Sequence, residues 1–132
     1  VAEVAFCSAY LRLRLALQQA GQKPSLDWLA VVAGVLAHAS AHVPLPSYGN
    51  LGAQIGAPQG DKAALSGARF RRLLVAQDPD EVFQQMRRVL HILRGQVDVN
   101  ALASDLLQLG STRADDVRKA WAFAYYEASP EK

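Results

Sequence analysis

The stretch from Ser66 to Gly95 leaves a chain little freedom, because it specifies a helix at both ends and repeats the pattern just ahead of it. Asp78 suits an N-cap, Pro79 suits the first helical position, and Glu81 can reach back as the acidic half of a capping box. Gly95 is placed to close that helix as a C-cap. Between those ends Val82, Met86, Val89, Leu90 and Leu93 recur at helical spacing, with Phe83 at the margin, so one face must be buried. Gln84, Arg88 and His91 fall opposite, with Arg87 and Arg94 on one flank. The preceding segment divides the same way: Phe70, Leu73 and Leu74 form an apolar stripe, Arg72 points away, and Arg69 and Arg71 flank it. Two amphipathic helices in tandem carry arginine outward.

The rest of the chain also follows helical spacing. Residues Glu3 to Ala20 predict a helix with Phe6, Tyr10, Leu13 and Leu17 on one stripe, ended by Gly21 and blocked by Pro24. Its Arg12 and Arg14 read as a solvated edge. Ser25 can cap a second helix to about Ala41. There Trp28, Val31, Val32, Val35 and Leu36 make a large-residue face, and Ala30, Gly34, Ala37 and Ala41 a small one, as expected of a core helix buried on both sides. Residues 43 to 65 are punctuated by proline and glycine and read as a mobile connection holding one short helix, Leu51 to Ile55, capped by Asn50. Asp98 caps a helix bearing Val99, Leu102, Leu106 and Leu109 that Gly110 ends. Ser111 or Thr112 then starts a last helix, with Asp115 and Asp116 at the positive end of its dipole. Val117, Trp121, Ala124 and Tyr125 face inward. Lys119, Phe123 and Tyr126 share the other side, where either another helix or a partner must cover the aromatics. No valine-rich run alternates as a strand does. The expected fold is all-α, a compact bundle of about five or six helices with a Gly/Pro-rich connection near residues 43–65. It forms one domain over 1–132 that can also divide into helical halves, 1–42 and 66–132.

Charge acquires meaning only through its position. The formal net charge is +2, but residues 66 to 97 hold six basic and three acidic side chains while residues 98 to 132 hold four and six, so the basic excess is central. A single cysteine, Cys7, excludes an internal disulfide and fits a reducing, cytoplasmic compartment. The longest apolar run, Trp28 to Ala37, is shorter than the roughly 20 residues a membrane span needs. The chain opens on Val1 and enters helical pattern at once, as if a few residues precede it, and no signal peptide is legible. His38 and His42 have a zinc-like spacing, yet lack the intervening glutamate of a metalloprotease motif and read as helix-end histidines. Gly60-Asp61-Lys62 is not a phosphate loop, and Gly49-Asn50-Leu51-Gly52 matches a KH-type loop without the sheet that module needs. Without a nucleophile elbow, a Cys-x-x-Cys pair or paired carboxylates in a cleft, no enzyme, metal or cofactor is expected.

The order of certain segments is familiar. A core helix around Trp28 is followed by Asn50-Leu51-Gly52, Arg69-Phe70-Arg71-Arg72-Leu73-Leu74 and Met86-Arg87-Arg88-Val89-Leu90. Val97-Asp98, Leu102, Asp105-Leu106-Leu107, and Val117-Arg118-Lys119-Ala120-Trp121-Ala122 with Tyr125-Tyr126 come next. Over about Ser25 to Glu127 this resembles the small subunit, CasB, of the type I-E CRISPR Cascade complex. The resemblance implies an all-helical, non-catalytic protein, present as a pair in a crRNA-guided complex, contacting the backbone and large subunits and guiding the displaced strand of the opened DNA. Because base pairing reads the sequence there, an accessory protein need only hold phosphate backbone, which arginine does well. The positions carried over are Arg69, Arg71, Arg72, Arg87, Arg88 and Arg118, with Arg94 and Lys119 nearby. Phe70 and Trp121 are expected in the core.

Two rival functions remain legible. Leu102 to Leu106, Leu109 to Ala114 and Val117 to Ala120 look by eye like a helix-turn-helix regulator, whose last helix would enter the major groove by its N-terminal residues. Asp115 and Asp116 would then face phosphates, and the connection carries an extra Leu107-Gln108. The other rival is a helical module that binds protein alone through Phe123 and Tyr126.

Overall fold

The computed structural model describes Leu15, residues 26–44 and residues 50–130. The helix expected over Glu3 to Ala20, the Ser25 cap and Cys7 therefore lie outside the described residues. Among those described, six helices carry the fold: α1 (Leu26–Leu36), α2 (Leu51–Gly56), α3 (Gly67–Val75), α4 (Pro79–Ile92), α5 (Val99–Leu109) and α6 (Ala114–Ala128). Among the described residues extended structure is limited to four two-residue strands. These are β1 (Ala41–His42) paired in parallel with β4 (Gln96–Val97), and β2 (Pro58–Gln59) paired antiparallel with β3 (Lys62–Ala63). Among the described residues no helix is long and apolar enough to cross a membrane.

The caps follow from the residues placed at them. The Ser66 hydroxyl accepts from the Arg69 amide at 3.3 Å, Asp98 Oδ1 from Ala101 at 3.0 Å, and Asn50 Oδ1 from Ala53 at 3.2 Å, each satisfying an orphan donor of the first turn. Pro79 opens α4, while Asp78 sits at its N-cap without a side-chain hydrogen bond to the turn. The last helix starts at Ala114, slightly later than expected, because Ser111 spends its hydroxyl on a tight turn: it donates to Gln108 O at 2.7 Å and accepts from the Arg113 amide at 3.1 Å.

One core joins these elements. α1 is buried on both sides, through Leu29, Ala30, Val31, Val32, Gly34 and Val35, and packs against α4 and α5. Its Trp28 ring lies over Gly110, where an added Cβ would come within 2.4 Å of the indole. Phe70 and Tyr125 are buried and stacked, ring centroids 3.9 Å apart, and the Tyr125 hydroxyl donates to Leu65 O at 2.6 Å. Trp121 is equally buried and donates its indole N–H to Asp105 at 2.9 Å, tying α6 to α5. Phe70 and Trp121 are core residues, as their place in apolar stripes implied.

Two sequence expectations need correction. The core helix stops at Leu36 rather than near Ala41, because Gly95 O captures the Ser40 and Ala41 amides at 2.9 and 3.2 Å and starts the β1–β4 pairing instead. His42 thereby leaves the helical register with His38, and its Nδ1 accepts the Val99 amide at the start of α5. Residues 50–65 do not form a free tether. Leu51, Ile55, Ala63 and Leu65 are buried, and α2 lies against α6 so closely that a Cβ on Gly52 would sit 2.2 Å from Trp121 O and one on Gly56 2.5 Å from Tyr125 O. Asn50 Nδ2 adds a bond to Ala120 O at 3.1 Å. The glycines that read as punctuation are the contact surface of a helix crossing.

Candidate nucleic-acid interface

The arginine face is assembled from three elements. In α4 the apolar stripe Val82, Met86, Val89 and Leu90 is buried, and the 3.6-residue period then leaves Arg87, Arg88 and His91 on the outside. In α3 burial of Phe70 and Leu73 does the same for Arg69, Arg71 and Arg72. Because α3 packs on α4, and the residues following α1 pass beside the end of α4, the three border an open cleft of about 800 Å3. Arg69, Arg72, Arg87, Arg88 and Arg94 line it with His38, Ser40 and His91. No ion pair joins any of these five arginines to a carboxylate among the described residues. A concave surface carrying only one sign of charge concentrates potential and attracts polyanions.

The remaining basic candidates lie elsewhere. Arg71 folds back along α3 towards Gly67, as helical side chains do, with Nη1 at 3.4 Å from a Cβ placed there. Arg118 is turned inward: it donates from Nη2 to Ala76 O at 3.2 Å and pairs through Nη1 with Asp115 at 3.4 Å. It joins the start of α6 to the end of α3. Lys119 borders a second hollow, of about 640 Å3, with Ala122, Phe123, Tyr126 and Glu127. Phe123 is 77% exposed there, whereas Tyr126 turns its ring edge to Phe70 and Tyr125 and is 46% exposed.

Sequence periodicity did not find His38 and Ser40 as cleft residues, since α1 stops before them and Ser40 meets the end of α4 only through its amide on Gly95 O and its hydroxyl on Arg94 O. Nor did it find the backbone of Arg94. This residue has φ +57°, the only non-glycine among those described with positive φ, and Gly95 follows at +72°. For a non-glycine residue such a conformation costs about 1–3 kcal/mol and persists only where surroundings enforce it. The one legible signal was Gly95, read as the C-cap; the helix in fact ends at Ile92 with Leu93 as its C-cap, so the left-handed place after the cap falls to Arg94 and Gly95 follows it.

The other polar groups of interest are structural. His38 Nδ1 lies 2.9 Å from Gly34 O and its ring stands edge-on to Phe83. Among the described residues no three His, Cys, Asp or Glu side chains are grouped to hold a metal. Asp105 has its carboxyl pushed above the ordinary value, first by burial and also by Asp98, against the lowering effect of the Trp121 bond. At the first turn of α6, Asp115 and Asp116 are exposed, so that helix end presents carboxylates to an approaching partner.

The family model for the CRISPR-associated protein Cse2 matches residues 2–126, and the chain belongs to that family. It is thereby a subunit of the type I-E CRISPR Cascade assembly. No curated protein and no solved structure matches it.

Proposed function

We propose that this chain is the non-catalytic small subunit of a cytoplasmic type I-E Cascade complex, holding nucleic-acid backbone along the α3–α4 cleft without reading sequence. Its task is to keep the R-loop open by guiding the displaced DNA strand while the crRNA pairs with the other. The observation carrying this reading is the gathering of Arg69, Arg72, Arg87, Arg88 and Arg94 on one cleft with no carboxylate pairing them among the described residues. Charges without a carboxylate partner among the described residues can be paired by phosphates, with release of counterions. Arginine forks also stack on unpaired bases, which suits a single strand. Arg71 and Lys119 extend the basic surface beyond the cleft, and Arg118 contributes mainly by holding α6 to α3. The Phe123 and Tyr126 face is the protein-binding side, for the backbone or large subunit or a second copy of the chain.

The test is binding of single- and double-stranded DNA across a salt series by wild type and an Arg87→Ala, Arg88→Ala, Arg94→Ala variant. Each phosphate contact removed flattens the single-strand salt slope by about 0.7, so the variant should lose about 2. Binding that is sequence-independent, and weaker and less salt-sensitive in the variant, fits the proposal. Equal binding by the two proteins rules out this cleft, and a preference for one duplex sequence favours a helix-turn-helix regulator.

A further inference from the structure

Arg94 owes its place in the cleft to a backbone conformation that arginine avoids, and the chain surrounds that conformation with bonds. Its own amide donates to His91 O at 3.2 Å, and the Gly95 amide donates to Leu90 O at 2.8 Å. From across the cleft wall the Ser40 hydroxyl donates to Arg94 O at 2.9 Å, while the Ser40 and Ala41 amides take Gly95 O. The fit leaves no slack: a Cβ on Gly95 would stand 2.4 Å from Ser40 Oγ, 2.8 Å from Ser40 N and 3.0 Å from His38 O. Beyond it the β1–β4 pairing continues through Val43 N to Val97 O at 2.8 Å.

We infer that Ser40 is a positioning residue for nucleic-acid binding, clamping the left-handed Arg94–Gly95 corner so that the Arg94 guanidinium stands in the cleft. A residue that conforms easily to positive φ, asparagine or glycine, would end α4 with less strain. Arginine here places a cation at the exit of α4, and the serine hydroxyl, brought from 54 residues away in sequence, holds its carbonyl. The inference rests on the cleft being the backbone-binding surface, and it extends that surface to a residue with no charge.

The experiment is a double-mutant cycle on the full chain, with a labelled oligothymidylate as probe, beside NMR spectra of the Arg94 amide and Nε–H. Ser40→Ala should weaken binding about fivefold, the loss of one hydrogen bond's worth of positioning. In an Arg94→Ala background the same change should cost nothing, because what Ser40 positions has gone. Ser40→Thr, which keeps the hydroxyl, should retain affinity near wild type. In the unbound protein Ser40→Ala should shift the Arg94 and Gly95 amides and mobilise the Arg94 Nε–H. An equal cost in both backgrounds, or Arg94 signals that do not move, overturns the inference. Signals that move in a protein that binds no oligothymidylate uphold the clamp and overturn instead the reading of the cleft as a DNA surface.

Discussion

The α2–α6 crossing and the α3–α4 cleft treat side chains in opposite ways. At the crossing the chain removes them: Gly52 and Gly56 let α2 reach the backbone of Trp121 and Tyr125, and the polar groups nearby are bonded, Asn50 to Ala120 and Tyr125 to Leu65. At the cleft it extends them: five arginines line a hollow with no carboxylate pairing them among the described residues. A surface completed within the chain contributes stability, whereas one left electrostatically incomplete contributes binding. The two should therefore respond differently to substitution.

The largest effect expected is at the crossing. Gly52→Ala drives a methyl into the Trp121 carbonyl, a backbone group that cannot rotate aside, and should cost about 3 kcal/mol of stability in urea unfolding. Any protein that stays folded should keep the wild-type salt slope for single-stranded DNA. The triple alanine change at Arg87, Arg88 and Arg94 should do the reverse, leaving the melting temperature unchanged or higher while binding loses affinity and salt dependence. Stability lost together with affinity would mean that the arginines are part of the core packing, and the contrast would fail.

Asp105 sharpens the contrast from the packed side. Asp105→Ala strands the buried indole N–H of Trp121 and should cost about 1–3 kcal/mol, whereas Asp105→Asn keeps an acceptor and should cost less. The raised carboxyl also fixes a pH dependence. Between the ordinary value of 3.8 and the higher native one, the folded protein binds more protons than the unfolded chain. This group's contribution is full below 3.8 and is lost as pH rises through the native value; the urea midpoint difference between wild type and Asp105→Asn should change in that window and be flat above it. Smaller still, Arg118→Ala should cost about 1 kcal/mol through loss of its bond to Ala76 O, with little change in DNA affinity. An affinity loss as large as that of the cleft variant would return Arg118 to the binding surface. Phe123→Ser, at a side chain 77% exposed, should leave stability unaltered and act only on assembly.

Much of this was legible because it depends on local rules. The Asn50 and Asp98 caps, the inward stripe of α4 and the outward arginines follow from spacing along one helix, and the structure has them where spacing put them; the Ser66 cap was not read from the sequence. What spacing could not supply was long-range. Gly52 and Gly56 look the same in sequence whether they bend a loop or admit a neighbouring helix, and only the position of Trp121 decides. Ser40 carries no sign of a site until Gly95 captures its amide and stops α1 early. Arg118 sits in the same kind of basic run as Arg87 and Arg88, yet a carbonyl in reach turns it inward.

The claim that the cleft serves DNA and the remaining surface serves the fold or protein partners meets its most direct test in the assembled complex. Type I-E Cascade should be reconstituted with wild type or with the Arg87→Ala, Arg88→Ala, Arg94→Ala variant, and the lifetime of the R-loop measured alongside the amount of small subunit incorporated. The account predicts equal incorporation and a shorter-lived R-loop, with the displaced strand re-annealing sooner. Equal incorporation with an unchanged lifetime would contradict it.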